Sequence, residues 1–191
     1  MLVEHGFVRA QLPDGREWTF TPSIGRIAEL GTPTGIVETF AALHGPRAEA
    51  EALDVLAALC DQDEPAELIG WRDDAGRVCD GAMTPAERLI LARHLMQHGV
   101  CGKPDTSGGR RPEGGDFSDR FEAGEFIALA RAHLGMSYAD AAALSMTELQ
   151  QLMRVKFPPE KGKGGAKNVP TRAEYDAAMQ RLKTRREKAG A

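Results

Sequence analysis

His94, His98 and Cys101 carry the most suggestive ligand spacing in the chain. Four residues apart on a helix, His94 and His98 can turn both rings toward one ion, and Cys101 follows just past the helix end. Zinc needs a fourth ligand or a water, and Cys60 or Cys79 supplies one only if folding brings it close. Position 95 is Leu, so the His-Glu-x-x-His pattern of zinc peptidases is absent. The simpler expectation is one half-exposed histidine near Gln97 and a second near a helix C-terminus, where an imidazolium is favoured. No resident metal or cofactor is expected.

Other candidate chemistries are weaker. Gly108-Gly109-Arg110-Arg111 and Gly162-Lys163-Gly164-Gly165 invite a phosphate, but neither has Walker spacing or leads from a strand into a helix. They read as flexible linkers. Asp61-Gln62-Asp63-Glu64-Pro65 lacks the ligand register of a calcium loop and reads as a solvated turn with capping acids. No Gly-x-Ser-x-Gly occurs, and no cysteine sits in a His-paired context, so a non-enzymatic protein is expected. Residues 135–156 resemble a helix-turn-helix. A recognition helix needs donors at its N-terminal end, whereas this one offers Thr147, Glu148 and Gln150, with Arg154 its first base. Glu148 would face phosphates unfavourably, so two helices packing on a core are the better reading.

The elements that must position these residues are mainly helical. Alternation through Phe7–Leu12, then Pro13-Asp14-Gly15, then Glu17–Phe20 predicts an N-terminal hairpin. Thr21-Pro22 and Thr32-Pro33 each place a cap before a proline, predicting short helices over Ser23–Leu30 and Ile36–Leu43. Arg47–Cys60 has helical periodicity in Leu53, Leu56 and Cys60. Leu68–Trp71 and Arg77–Cys79 suit a second small hairpin, or a loop. Thr84-Pro85 with Glu87 opens a helix with a wide apolar face, Leu89, Ile90, Leu91, Leu95 and Met96, that Gly99 should stop. Residues 102–118 read as a mobile loop. Phe121–Leu134, Ser137–Leu144 and a helix opened by Ser145-Met146-Thr147-Glu148 complete a body over residues 1–157. A Lys/Gly linker over 158–170 then leads to a separate basic C-terminal helix over 171–191, with Tyr175, Ala178, Met179 and Leu182 as its apolar stripe.

The 191 residues, 42% apolar and 27% charged, suit one soluble domain with a tail. No apolar run approaches the ~20 residues of a membrane span, and Met1–Ala10 lacks a leader's apolar core. The three cysteines are odd in number and widely spaced, which argues against a disulfide scaffold and for a reducing cytoplasm. Charge is uneven. Residues 151–191 hold eleven lysines and arginines against four acids, +7, while the preceding 150 residues hold thirteen against twenty-four, −11. An acidic body does not lie along nucleic acid, and a basic tail reaches for an acidic surface.

Several stretches together are similar to a family of tailed-phage proteins of unknown function. They are Phe20–Ser23, Leu30–Pro33 with Ile36–His44, Cys60–Asp63 running to Glu67–Gly70, and His98–Lys103. Ala130–Ser137 continues into Ala141-Ala142, Ser145–Gln150, Lys156–Pro159 and Thr171–Asp176. The family resembles proteins encoded in the tail-morphogenesis block of long-tailed phages, near the tape-measure gene. That position implies a tail assembly chaperone. Such a protein coats the long, apolar tape-measure protein in the host cytoplasm, can recruit tail-tube subunits, and is often made in two forms by frameshifting. A structural virion component, such as a tail or head–tail completion protein, is the alternative, and a DNA-binding regulator a third.

A helical body can seat a helical client in an apolar groove. Phe40, Leu43, Met96, Met146 and Met153 are the expected lining, since methionine adapts to varied partners; each taken alone is better explained as core. Arg181, Lys183, Arg185 and Arg186 on the tail helix are expected to meet an acidic protein surface, such as the body of a neighbouring copy. Neither sequence-specific nucleic-acid binding nor a membrane is expected.

Overall fold

Local signals place most of the helix starts. The computed structural model describes residues 3–103 and 118–158, together with Arg172 and Met179. The chain divides into two units, Met1–Phe157 and Pro158–Ala191. In the second, Arg172 and Met179 are helical and exposed. Most of the predicted loop 102–118, of the linker 158–170 and of the basic helix 171–191, including Arg181, Lys183, Arg185 and Arg186, lies outside the described residues.

The first unit is mainly α, with an N-terminal hairpin. A 3-10 turn, Val3–His5, precedes strands β1 (Val8–Gln11) and β2 (Glu17–Phe20), which pair antiparallel with Val8 opposite Phe20 and Ala10 opposite Trp18. Asp14 caps the connecting turn by accepting from the Arg16 N–H at 3.0 Å. Helices α1 (Ile24–Glu29), α2 (Pro33–Ala42), α3 (Ala48–Leu59) and α4 (Ala66–Ile69) follow. Two-residue strands β3 (Trp71–Arg72) and β4 (Val78–Cys79) then make the second hairpin, so only its strand portion matches expectation and Leu68-Ile69 are helical. Helices α5 (Pro85–Met96), α6 (Ala123–Leu134), α7 (Tyr138–Ala143) and α8 (Met146–Lys156) complete the unit. Thr32, Thr84, Ser137 and Ser145 all cap as their spacing predicts, Thr84 and Ser145 in reciprocal capping boxes with Glu87 and Glu148.

The first helix starts differently. Ser23, not Thr21, is its cap and accepts from the Arg26 N–H. The Thr21 hydroxyl instead donates to Asp61 at 2.7 Å, as does that of Thr19. Asp61 also pairs with Arg26 at 2.9 Å, and the Cys60 backbone bridges to Phe20. The acidic turn after α3 is exposed over residues 61–64, as expected, and Asp61 also makes it a clasp that fastens helix to hairpin.

Phe20, Ile24, Ile27, Ile36, Leu56, Leu59 and Leu95 form the centre of one core to which α1, α2, α3, α5, α6 and α8 all contribute. Full burial of each such side chain is worth roughly 1.5–3 kcal/mol. The Ser23 and Ser145 caps pair as an isolated bridge, with the Ile24 N–H donating to the Leu144 carbonyl at 2.8 Å. The starts of α1 and α8 are thus tied together.

Gly99 does not end α5. The helix runs on as a π turn, Gln97–Cys101, and ends at Gly102, whose φ of +81° favours glycine. Gly99 is required by packing: a Cβ there would lie 2.7 Å from Ile27 Cδ1 and 2.8 Å from its Cγ1. Gly99→Ala is expected to cost about 1–3 kcal/mol through overpacking, read as a lower midpoint in urea; an unchanged midpoint would mean that Ile27 moves aside freely.

Candidate functional site

An apolar groove lies between β1 and α5. Val8 and Ala10, two apart on β1, present the same face. Across from them, Glu87, Ile90, Leu91 and His94 recur at helical spacing along α5, and Met83 closes one end. The volume is about 320 Å³. Ile90 is 67% exposed, against 8% for Leu91 on its inner side, so the groove floor is packed while one large apolar side chain stands free at its edge.

Local chemistry sets α5 in place. Pro85 occupies the first turn, the Glu87 N–H donates to the Thr84 hydroxyl at 3.3 Å, and the Glu87 carboxylate accepts from the Thr84 N–H at 2.8 Å. That amide, with the Thr84 hydroxyl, holds the Glu87 carboxyl below its usual range. The hairpin register carries Val8 and Ala10 against the helix.

Behind the groove, a cluster of histidines crosses from α5 to α8. The His94 and His98 rings lie against each other, tilted by 47°, with 4.5 Å between centroids. His98 Nδ1 lies 2.8 Å from the Thr147 hydroxyl, and His5 Nδ1 lies 3.4 Å from a Glu148 carboxylate oxygen. Gly6 packs so tightly on His98 that a Cβ would fall 2.4 Å from the Cβ of the histidine. Burial, reinforced by nearby His94, Lys103 and His5, lowers the His98 pKa to about 4, so its ring is neutral at pH 7.

The predicted ligand set does not converge. His94 and His98 set their rings against each other at a tilt, His98 Nδ1 faces Thr147, and Cys101 lies exposed on the π turn. Among the described residues, no three of His, Cys, Asp and Glu are grouped to hold a metal ion. The helix-turn-helix reading also meets an obstacle. Thr147 is fully buried against His98, and Glu148 is committed to the α8 cap. Neither is available to a base edge.

The expected client-lining residues do not share one groove. Leu43, Met96 and Met146 are enclosed in the core, where a partner cannot reach them. Phe40 and Met153 are half-buried and pack against it, Phe40 edge-on to His44. The groove instead uses Val8, Ala10, Met83, Ile90 and Leu91, none of which was expected to bind. A signal existed: five apolar positions on α5 span more arc than one buried stripe can use, so one had to stay outside. Among the described residues no helix is long and apolar enough to cross a membrane.

Arg88 is a further residue that sequence reasoning passed over. It is fully buried on the inner side of α5. Its guanidinium pairs with Glu49 of α3 at 3.1 Å and Asp80 at 2.8 Å, and donates to the Ile69 and Met83 carbonyls at 3.3 Å each. It fastens α5 to α3 and to the chain on either side of the second hairpin.

Neither the curated proteins nor the solved structures contain a match to the chain. The profile of one family, described as a family of unknown function (DUF6246), matches residues 45–177. That span runs from the turn between α2 and α3 through α8 and beyond, and takes in both Arg88 and the α5 side of the groove; the chain belongs to this family of unknown function.

Proposed function

We propose that this chain is a tail assembly chaperone of a long-tailed phage. It binds the tape-measure protein in the host cytoplasm without enzymatic chemistry and keeps it soluble until the tube forms. The motif resemblance across most of the chain supplies the biological setting. The structural observation in favour is the groove of Val8, Ala10, Met83 and Leu91, with Ile90 exposed at its lip. Such a groove suits an apolar helix laid along α5, anchored by side chains at helical spacing. Tail-tube subunits and a second copy of the chain are further partners under this reading.

Co-expression tests it. The chain should keep the tape-measure protein soluble and co-purify with it. Ile90→Asp should weaken that association about tenfold or more, as loss of an apolar anchor does, while stability changes by no more than about 0.5 kcal/mol because the side chain is exposed. If instead mature virions retain this chain at fixed stoichiometry and the tape-measure protein does not bind it, the structural-component alternative replaces the chaperone. A salt-sensitive, sequence-specific shift of DNA would favour the regulator.

A further inference from the structure

A second apolar surface lies uncovered where α6 and α8 end. Leu152 and Val155, three residues apart on α8, are 40% and 81% exposed, and Phe157 at its C-cap is 51% exposed. On α6, Leu129 is 36% exposed. His133, one turn further along, sets its ring edge-on to Phe157 with 5.5 Å between centroids. That contact joins the outer faces of two helices that pack on one another.

The charged groups in these two last turns are cations: Arg131 and His133 on α6, Arg154 and Lys156 on α8. Arg131, Arg154 and Lys156 take part in no ion pair among the described residues. Acids of the same region lie at helix starts, and all but the exposed Glu125, one turn before Leu129, are engaged there. Glu122 pairs with Arg120 at 2.9 Å, Asp140 accepts from the Ser137 hydroxyl at 2.6 Å, and Glu148 caps α8. The helix dipole favours cations at a C-terminus, which accounts for their sign. It does not account for four large apolar side chains left in water between them. Exposed apolar surface rimmed by uncommitted charge is the mark of a partner surface.

We propose that this face docks an acidic amphipathic helix of another protein. Apolar side chains of that helix seat on Leu129, Leu152, Val155 and Phe157, and its flanking carboxylates meet Arg131, Arg154 and Lys156. Charge selects the partner, and the site within the first unit: residues 1–150 carry a net −11 and repel an acidic helix elsewhere on that unit, so the cationic ends of α6 and α8 steer it to this face. The inference does not depend on the client groove, which shares none of these residues.

The test uses the full chain and two labelled amphipathic peptides, each with leucines at i, i+3, i+4 and i+7, flanked in one by glutamates and in the other by lysines. Fluorescence anisotropy should show the glutamate peptide binding about tenfold or more tightly than the lysine peptide, with the preference shrinking as salt is raised. Val155→Asp should weaken the glutamate peptide about tenfold or more. Arg154→Glu combined with Lys156→Glu should reverse the preference between peptides. All three positions are exposed, so the variants should melt like the parent. Ile90→Asp should leave both affinities unchanged, which separates this face from the groove. Equal affinity for the two peptides, no binding of the glutamate peptide, or binding untouched by Val155→Asp would overturn the proposal. So would a sedimentation result in which Val155→Asp dissolves a dimer, because the face would then belong to a second copy.

Discussion

Arg88→Ala should destabilise the first unit by about 3–5 kcal/mol, the range for breaking a buried charge network from one side. The arginine has no exposed surface, whereas its partners Glu49 and Asp80 have side chains 54% and 65% exposed. Those carboxylates rehydrate when the guanidinium goes, so little of the cost lies with them. It lies with the Ile69 and Met83 carbonyls, which lose a donor, and with the void left between α3 and α5. Arg88→Met refills much of that volume without replacing the donor, and should cost about half as much. Urea denaturation of the two variants measures both terms. Equal losses would show that volume is unimportant, and a loss under about 1 kcal/mol in Arg88→Ala would show that the network is energetically idle. The native arrangement is itself imperfect: Arg88 Nε is buried and finds no acceptor among the described residues.

Acid should weaken the fold through His98. Its imidazole titrates near the usual 6.5 in the unfolded chain and at about 4 in the folded one. The unfolded state therefore takes up the proton first. Stability is complete above about pH 6.5, falls as the pH drops, and levels off near pH 4 after a loss of about 3 kcal/mol. The cause is the ring's position, walled by Gly6 and Thr147, with His94, Lys103 and His5 adding positive charge nearby. His98→Gln keeps a polar group opposite Thr147 and cannot titrate. Unfolding free energies at pH 7 and pH 4.5 should differ far less in this variant than in the parent. Parallel pH profiles in the two proteins would remove His98 as the sensor.

Capping is what made the helices legible. A Thr or Ser followed by Pro, or by an acid three residues on, satisfies its own helix start whatever lies elsewhere, so Thr32, Thr84, Ser137 and Ser145 could be placed from sequence. Thr21-Pro22-Ser23 offered two hydroxyls for one cap. Asp61, forty residues away, decided between them by taking Thr21. Gly99 looked like a helix stop because glycine commonly is one; its reason is the side chain of Ile27, which no local pattern encodes. Arg88 was invisible for the same cause. A charged residue reads as solvent-facing until Glu49 and Asp80 are brought to it. For the binding residues, composition could not separate core from surface. Met96 and Met146 have adaptable side chains but no exposure, while Ile90 and Val155 are plain aliphatics whose positions alone make them available.

The π turn at Gln97–Cys101 holds one residue more than an α turn would. Removing any single residue there would let α5 continue as an ordinary helix and rotate the residues that follow it, up to Lys103, by about 100°. Gly102 would swing away from Gln150, whose amide now donates to the Cys101 carbonyl at 2.9 Å. His98, depending on which residue was lost, would turn from Thr147. The number of residues in this segment, as well as the identity of Gly99 and His98, thus sets where α8 docks. A one-residue deletion at 97–101 should be far more damaging than a conservative substitution at the exposed Cys101.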